Sequence, residues 1–253
     1  RQASMRRPSD WLMVVDAYSA YRLPPVERTL HANLVVRYVP STADGWDAWR
    51  RRASKIYWRP NILYAGYRDG KLLVYAASLA ETFNHVAAHG AIATDFDSIL
   101  HHWALQGLNY YAAARLNWRP ELKFDAILDD YCTAGFGKGA GSMRQYFLLA
   151  QKATDPYAGD RNPPGLDTQT IARLRKLLSG ADADAGDDRA VRERIAFMRL
   201  GLNVSELQVA LDAMADRAKA GERIDAGRAR RLMTLNFLVL RDIVQHHHLS
   251  VNA

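Results

Sequence analysis

Up to about residue 120, short apolar runs alternate with longer stretches in which apolar positions recur at helical spacing. The runs are Trp11–Tyr18 (WLMVVDAY), Leu34–Val39 (LVVRYV), Lys55–Tyr64 (KIYWRPNILY) and Ala91–Phe96 (AIATDF). The first two are rich in valine and leucine with little alternation, the pattern of strands buried on both faces of a parallel sheet. Pro60 cannot donate to a sheet ladder, so the third strand is predicted to end near Arg59. Helices are predicted over Trp46–Tyr57, which overlaps the third run, over Leu72–His89 with Gly90 as its stop, and over Ser98–Leu116. Leu23–Asn33 holds Pro24 and Pro25 and reads as a long loop. Strand then helix, repeated, predicts parallel βα units.

After Pro120 the strand pattern stops. Phe124–Ala134 and Ser142–Thr154 read as two helices joined by the turn Gly135–Gly141. A proline-containing loop follows at Asp155–Gly165. Then come Thr168–Leu178, an acidic spacer at Gly180–Asp188, Arg189–Leu200, Val204–Ala218 and Ala226–His247. Leu174, Leu177 and Leu178 form one apolar face, Leu207, Leu211 and Met214 another, and Leu232, Leu235, Val239 and Ile243 a third. Asn203 followed by Glu206 fits a capping arrangement at a helix start. This half is predicted to be a helical bundle.

Composition narrows the classes. The chain has 253 residues, 49% hydrophobic and 24% charged, enough for a sizeable globular core. No stretch approaches the roughly 20 consecutive apolar residues of a membrane helix, so no membrane partner is expected. The single cysteine, Cys132, excludes an intrachain disulfide framework or a Cys-rich zinc site, and reads as a small core residue. The net charge of +7 favours acidic partners. The basic clusters Arg50–Arg52 and Arg228–Arg231 lack interleaved aromatics, so no nucleic-acid partner is expected. The chain begins at Arg1 without a methionine, and its first ten residues hold no apolar signal-peptide core. That start suggests a fragment or processed product, and export would depend on a signal further upstream. Nothing in the pattern sets an oligomeric state.

Two motifs lose their chemistry in context. GFGKGAGS (Gly135–Ser142) lies between helical patterns with no preceding strand, so it is a helix–helix connection rather than a phosphate loop. Consecutive helical residues point about 100° apart, so His246–His248 cannot converge on one metal. No metal and no cofactor is expected.

The four strand ends are richer. They carry Asp16, Tyr18 and Tyr21; Arg37 and Tyr38; Trp58, Arg59 and Asn61; and Asp95, Asp97, His101, His102 and Trp103. In parallel βα architectures ligands bind where strands run into the following loops. Aromatic rings beside carboxylates, an amide and a guanidinium suit a sugar, whose C–H faces stack on rings and whose hydroxyls need polar partners. The alternative is that Trp and Tyr cap the sheet while the aspartates cap helices. Asp95 and Asp97 would share a face on a strand, yet Asp97 also fits an N-cap for the next helix. Asp95 is the better pocket residue.

The string TDFDSILHHWALQGLNYYAAARLNWRPELKFDAILDDYCTAGFGKGAGSMRQYF (Thr94–Phe147) resembles a bacterial family of glycoside-hydrolase-like proteins, of unknown function and related to alpha-glucuronidases. KIYWRPN and VVDAYSAYRLPP resemble it too, so the likeness covers about residues 10–150. It implies an α/β chain: the C-terminal half of a (β/α)8 TIM-type barrel, its last four strands within residues 1–120, followed by an all-α helical domain over 121–253. It also implies a protein that hydrolyses or binds polysaccharide-derived sugars, with Tyr18, Trp58, Arg59, Asn61, Asp95 and Trp103 lining the pocket. The general acid of such an enzyme would lie upstream of Arg1, which leaves catalytic residues unassigned. The alternative is a non-catalytic carbohydrate-binding or protein-interaction module.

Overall fold

Three of the four apolar runs form strands: β1 (Met13–Ala17), β2 (Leu34–Tyr38) and β3 (Lys55–Trp58). The computed structural model describes residues 11–61, 71–96, 103–157 and 164–246. The strands are parallel in the order β1-β2-β3, with Met13 opposite Leu34, Ala17 opposite Tyr38, and Tyr38 opposite Trp58. Side chains in register share a face, so Ala17, Val36, Tyr38, Ile56 and Trp58 line one side, and all are essentially inaccessible. Helix α1 (Ala43–Arg50) and the end of α2 (Ala76–Ala88) supply the packing there. Trp46 stands edge-on to Tyr38 at 5.6 Å, and Phe83 edge-on to Trp58 at 5.8 Å.

The other face is more open: Asp16, Arg37 and Tyr57 form a polar row across it, and Val14 of β1 is more than half exposed there. The expected burial on both faces is therefore corrected for β1, whereas β2 buries Val35 on this face and Val36 and Tyr38 on the other.

The half-barrel is corrected as well. Among the described residues the sheet has three strands, and Ala91–Phe96 contributes only an isolated parallel bridge from Thr94 to Trp58. Helices dominate the chain. Between β1 and β2 there is no crossover helix, only a single 3-10 turn, Ser19–Tyr21, and a loop through Pro24 and Pro25. A barrel needs such a helix after each strand.

The chain divides into two compact units, each assembled from two segments. One is Arg1–Tyr64 with Thr82–Ser98, the sheet unit; the other is Ala65–Glu81 with Ile99–Ala253, the helical unit. The helical unit contains α3 (Trp103–Trp118), α4 (Phe124–Phe136), α5 (Ala140–Thr154), α6 (Thr168–Ala185), α7 (Arg189–Lys219) and α8 (Ala226–His246). Asp167 accepts a hydrogen bond from Thr170 N–H and caps α6, and Asp188 accepts one from Val191 N–H and caps α7.

Two expected breaks are absent. The acidic spacer is largely the last turns of α6, where Asp182 meets Arg192 and Arg199 across to α7. Arg189–Leu200 and Val204–Ala218 are one 31-residue helix. Gly201 sits inside it because a Cβ there would lie 2.7 Å from the Ala104 carbonyl oxygen, so the glycine permits close approach of α7 to α3. Asn203 and Glu206 do not cap; both accept from Arg175 of α6.

Leu72–Tyr75 is also not helical. It is a buried extended segment leading into α2, and helix side chains serve its backbone instead of a neighbouring strand. Leu72 N–H donates to Ser205 Oγ (2.8 Å), Val74 N–H to Thr154 Oγ1 (2.9 Å) and Tyr75 N–H to Asn109 Oδ1 (2.9 Å). Asn109 Nδ2 donates back to the Leu73 carbonyl at 2.8 Å. A buried backbone must be satisfied somewhere, and three helices do it here.

Candidate functional site

The C-terminal ends of the strands gather most of the expected residues. At the end of β1, Asp16 accepts two hydrogen bonds from the guanidinium of Arg37, its register partner on β2, one of them at 2.8 Å. This bidentate pair holds the Asp16 carboxyl below the usual carboxylate range, with a further contribution from Arg59. Asp16 is thus a fixed negative charge.

A second array lies beside it. Tyr18 follows β1 and is half exposed; its phenolic oxygen accepts from Asn61 Nδ2 at 3.4 Å. Asn61 Oδ1 in turn accepts from Arg59 Nη1 at 2.5 Å. Arg59 Nε lies 4.0 Å from Asp95 Oδ2, and the Asp95 side chain is 56% exposed. Backbone bonds seat both ends: Arg59 N–H donates to the Tyr38 carbonyl and Asp95 N–H to the Trp58 carbonyl, each at 2.9 Å. Parallel pairing therefore brings Tyr18, Arg59, Asn61 and Asp95 into one polar array with an accessible carboxylate at its edge.

A family model described as a domain of unknown function, DUF4838, matches residues 3–148. The chain belongs to the DUF4838 family. No curated protein and no solved structure matches it. The DUF4838 region contains β1, β2 and β3, the whole polar array, and α3 and α4.

Two other expected residues sit differently. Trp58 is wholly buried, its Nε1 donating to the Pro40 carbonyl at 3.1 Å and its ring edge-on to Phe83 and Phe96. It props the array from below. Trp103 opens α3 in the helical unit and is 41% exposed, edge-on to Tyr110 at 5.0 Å. There it lines a cavity of about 330 Å³ together with Tyr111, Tyr131, Phe136, Arg194 and Met198. Arg194 is steered by donating to the Gly135 carbonyl at 3.1 Å. Burial pushes the Tyr131 hydroxyl well above its ordinary range, so it stays neutral. Asp97, His101 and His102 lie outside the described residues.

Gly135–Ser142 forms the helix–helix connection expected, a 3-10 turn at Gly137–Gly139 between α4 and α5. A Cβ on Gly139 would lie 2.7 Å from the Ala181 carbonyl oxygen, so this glycine serves helix packing.

One cluster escaped the sequence reading. Asp47 of α1, His85 of α2 and His89 just beyond α2 each place a potential ligand atom within 4.8 Å of the others. His85 Nε2 lies 2.9 Å from Asp47 Oδ1, and the two imidazoles stack with centroids 4.1 Å apart. The available signal was HVAAH, two histidines four apart on one helix face. Asp47 is 38 residues from His85 in sequence, and no local pattern joins them.

Proposed function

We propose that this DUF4838 protein recognises a polysaccharide-derived sugar at the strand ends of its sheet unit. The observation that carries this reading is the array Tyr18–Asn61–Arg59–Asp95: an exposed ring, an amide, a guanidinium and an exposed carboxylate held by backbone pairing. A ring offers a stacking face to sugar C–H groups, while the amide and guanidinium orient hydroxyls or a uronate carboxylate. The resemblance of VVDAYSAYRLPP and KIYWRPN to glycoside-hydrolase-like proteins related to alpha-glucuronidases supports a uronate, since those segments carry these residues.

Binding is favoured over hydrolysis. Hydrolysis uses two carboxyl groups flanking the scissile bond, and within this array the accessible carboxylate is Asp95 by itself. The test is a glycan array followed by titration of uronate-containing oligosaccharides, with chromogenic glycosides assayed in parallel. Saturable binding without turnover is expected, and Arg59→Ala and Asn61→Ala should abolish it while leaving the far-ultraviolet spectrum intact. Absence of any glycan binding, or binding indifferent to both substitutions, would remove the proposal.

A second reading, a protein-interaction role for the helical unit, is favoured by α8. Met233, Phe237 and Leu240 recur at helical spacing on that helix and are exposed.

A further inference from the structure

We infer that Asp47, His85 and His89 form a binding site for one divalent transition-metal ion of the zinc class. The three residues come from the two elements that cover the sheet, and all belong to the sheet unit. His85 and His89 stand one helical turn apart, and the hydrogen bond from His89 N–H to the His85 carbonyl (3.0 Å) continues the helix to the second ligand. His89 Nδ1 lies 2.8 Å from that same carbonyl. A carbonyl can only accept, so Nδ1 carries the proton and Nε2 keeps its lone pair. Metal-ligating histidines are commonly oriented in this way.

The donor set fits the ion. Two imidazoles and a carboxylate suit zinc and its neighbours, with the remaining positions filled by water. Ligand atoms on a tetrahedral zinc, at bonds of about 2.0–2.1 Å, lie about 3.3 Å apart. The Asp47–His85 separation of 2.9 Å needs only a small opening to accept an ion in place of the shared proton. The two ligand-bearing segments are tied together behind the site: Trp46, adjacent to Asp47 and fully buried, donates from Nε1 to the His89 carbonyl at 3.2 Å. Arg50, the nearest cation on α1, donates to the carbonyls of Ala53 and Ser54. His89 itself is exposed, which leaves an entry path.

The test is calorimetric titration of the full chain with ZnCl2, supported by the thermal midpoint with and without the ion. His246→Ala, His247→Ala and His248→Ala are introduced together beforehand, so that the terminal run contributes nothing. One equivalent of zinc should bind and raise the midpoint. His89→Ala and Asp47→Asn should each weaken binding about tenfold or more, while His31→Ala, an exposed histidine outside the cluster, should leave it unchanged. His89→Ala removes an exposed side chain and is expected to fold; if its circular dichroism differs, Asp47→Asn carries the same comparison. No saturable zinc binding, or binding unaffected by the cluster substitutions, would overturn the inference.

Discussion

In the helical unit, Asn109, Thr154, Gln151 and Ser205 turn their polar atoms inward to the backbone of Leu72–Ala77. In the sheet unit, Asp16, Arg37, Arg59, Asn61 and Asp95 turn theirs toward each other and toward solvent. Among the described residues, every buried polar side chain lies in the helical unit: Ser78, Gln106, Asn109, Thr154, Asp155 and Ser205. The same chemical groups thus do two jobs. Where a backbone segment has no strand beside it, polar side chains complete the fold. In the sheet unit they pair with one another at the surface.

The sharpest way to break this contrast is Asn109→Ala. It leaves the Leu73 carbonyl and the Tyr75 N–H buried without their partner, at a cost of about 3 kcal/mol. Asn61→Ala in the sheet unit should cost less than about 0.5 kcal/mol yet remove sugar binding. Urea denaturation of both variants measures the difference; equal losses would show that the two polar sets are not distinct in role.

Gly201→Ala is next. In an exposed helix this change stabilises by about 1 kcal/mol. Against the Ala104 carbonyl at 2.7 Å the sign should reverse, with a loss of about 1–3 kcal/mol, read as a lower thermal midpoint.

Two aspartates, Asp155 buried in the helical unit and Asp16 at the surface of the sheet unit, should respond oppositely to pH. Burial raises the Asp155 carboxyl above its ordinary value of 3.8, despite hydrogen bonds from Ser78 and from the Tyr157 N–H. Its contribution is fully present below that ordinary value and is lost as pH rises through the raised one. Asp16 is lowered, so its contribution is present above the ordinary value and is lost as pH falls through the lowered one. Thermal midpoints across acidic pH should therefore show Asp155→Asn removing a decline with rising pH and Asp16→Asn removing a decline with falling pH. Matching slopes in the two variants would contradict this.

The smallest effect concerns Tyr146. Its hydroxyl is fully buried in the helical unit with no hydrogen-bond partner among the described residues. Tyr146→Phe should be neutral or stabilising by up to about 1 kcal/mol. A clear loss would mean the hydroxyl is satisfied after all.

Much of the local structure was legible. The apolar runs at residues 11–18, 34–39 and 55–64 contain the three strands, and α4, α5 and α8 start and stop close to where periodicity placed them. Illegible were the features that depend on a distant partner. Leu72–Tyr75 has the composition to continue into a helix, but its backbone bonds to Asn109, Thr154, Ser205 and the Leu105 carbonyl instead. Gly201 and Asn203 resemble a break, and only the proximity of Ala104 and Arg175 explains them inside one helix. Arg59 and Asn61 follow β3 where the strand pattern placed them, whereas the strand expected before Asp95 is a single bridge and the inward rotation of Trp58 was not legible. The same holds for Asp47 beside His85 and His89.

Periodicity and turn chemistry alone determined where the strands and most helices lie, because each depends on neighbours a few residues away. The tertiary structure decided how many strands pair and which of their faces is covered. It also decided which polar groups serve the backbone and which pair with one another at the surface. Those outcomes depend on hydrogen-bond partners and close approaches between residues tens of positions apart, to which no local pattern is sensitive.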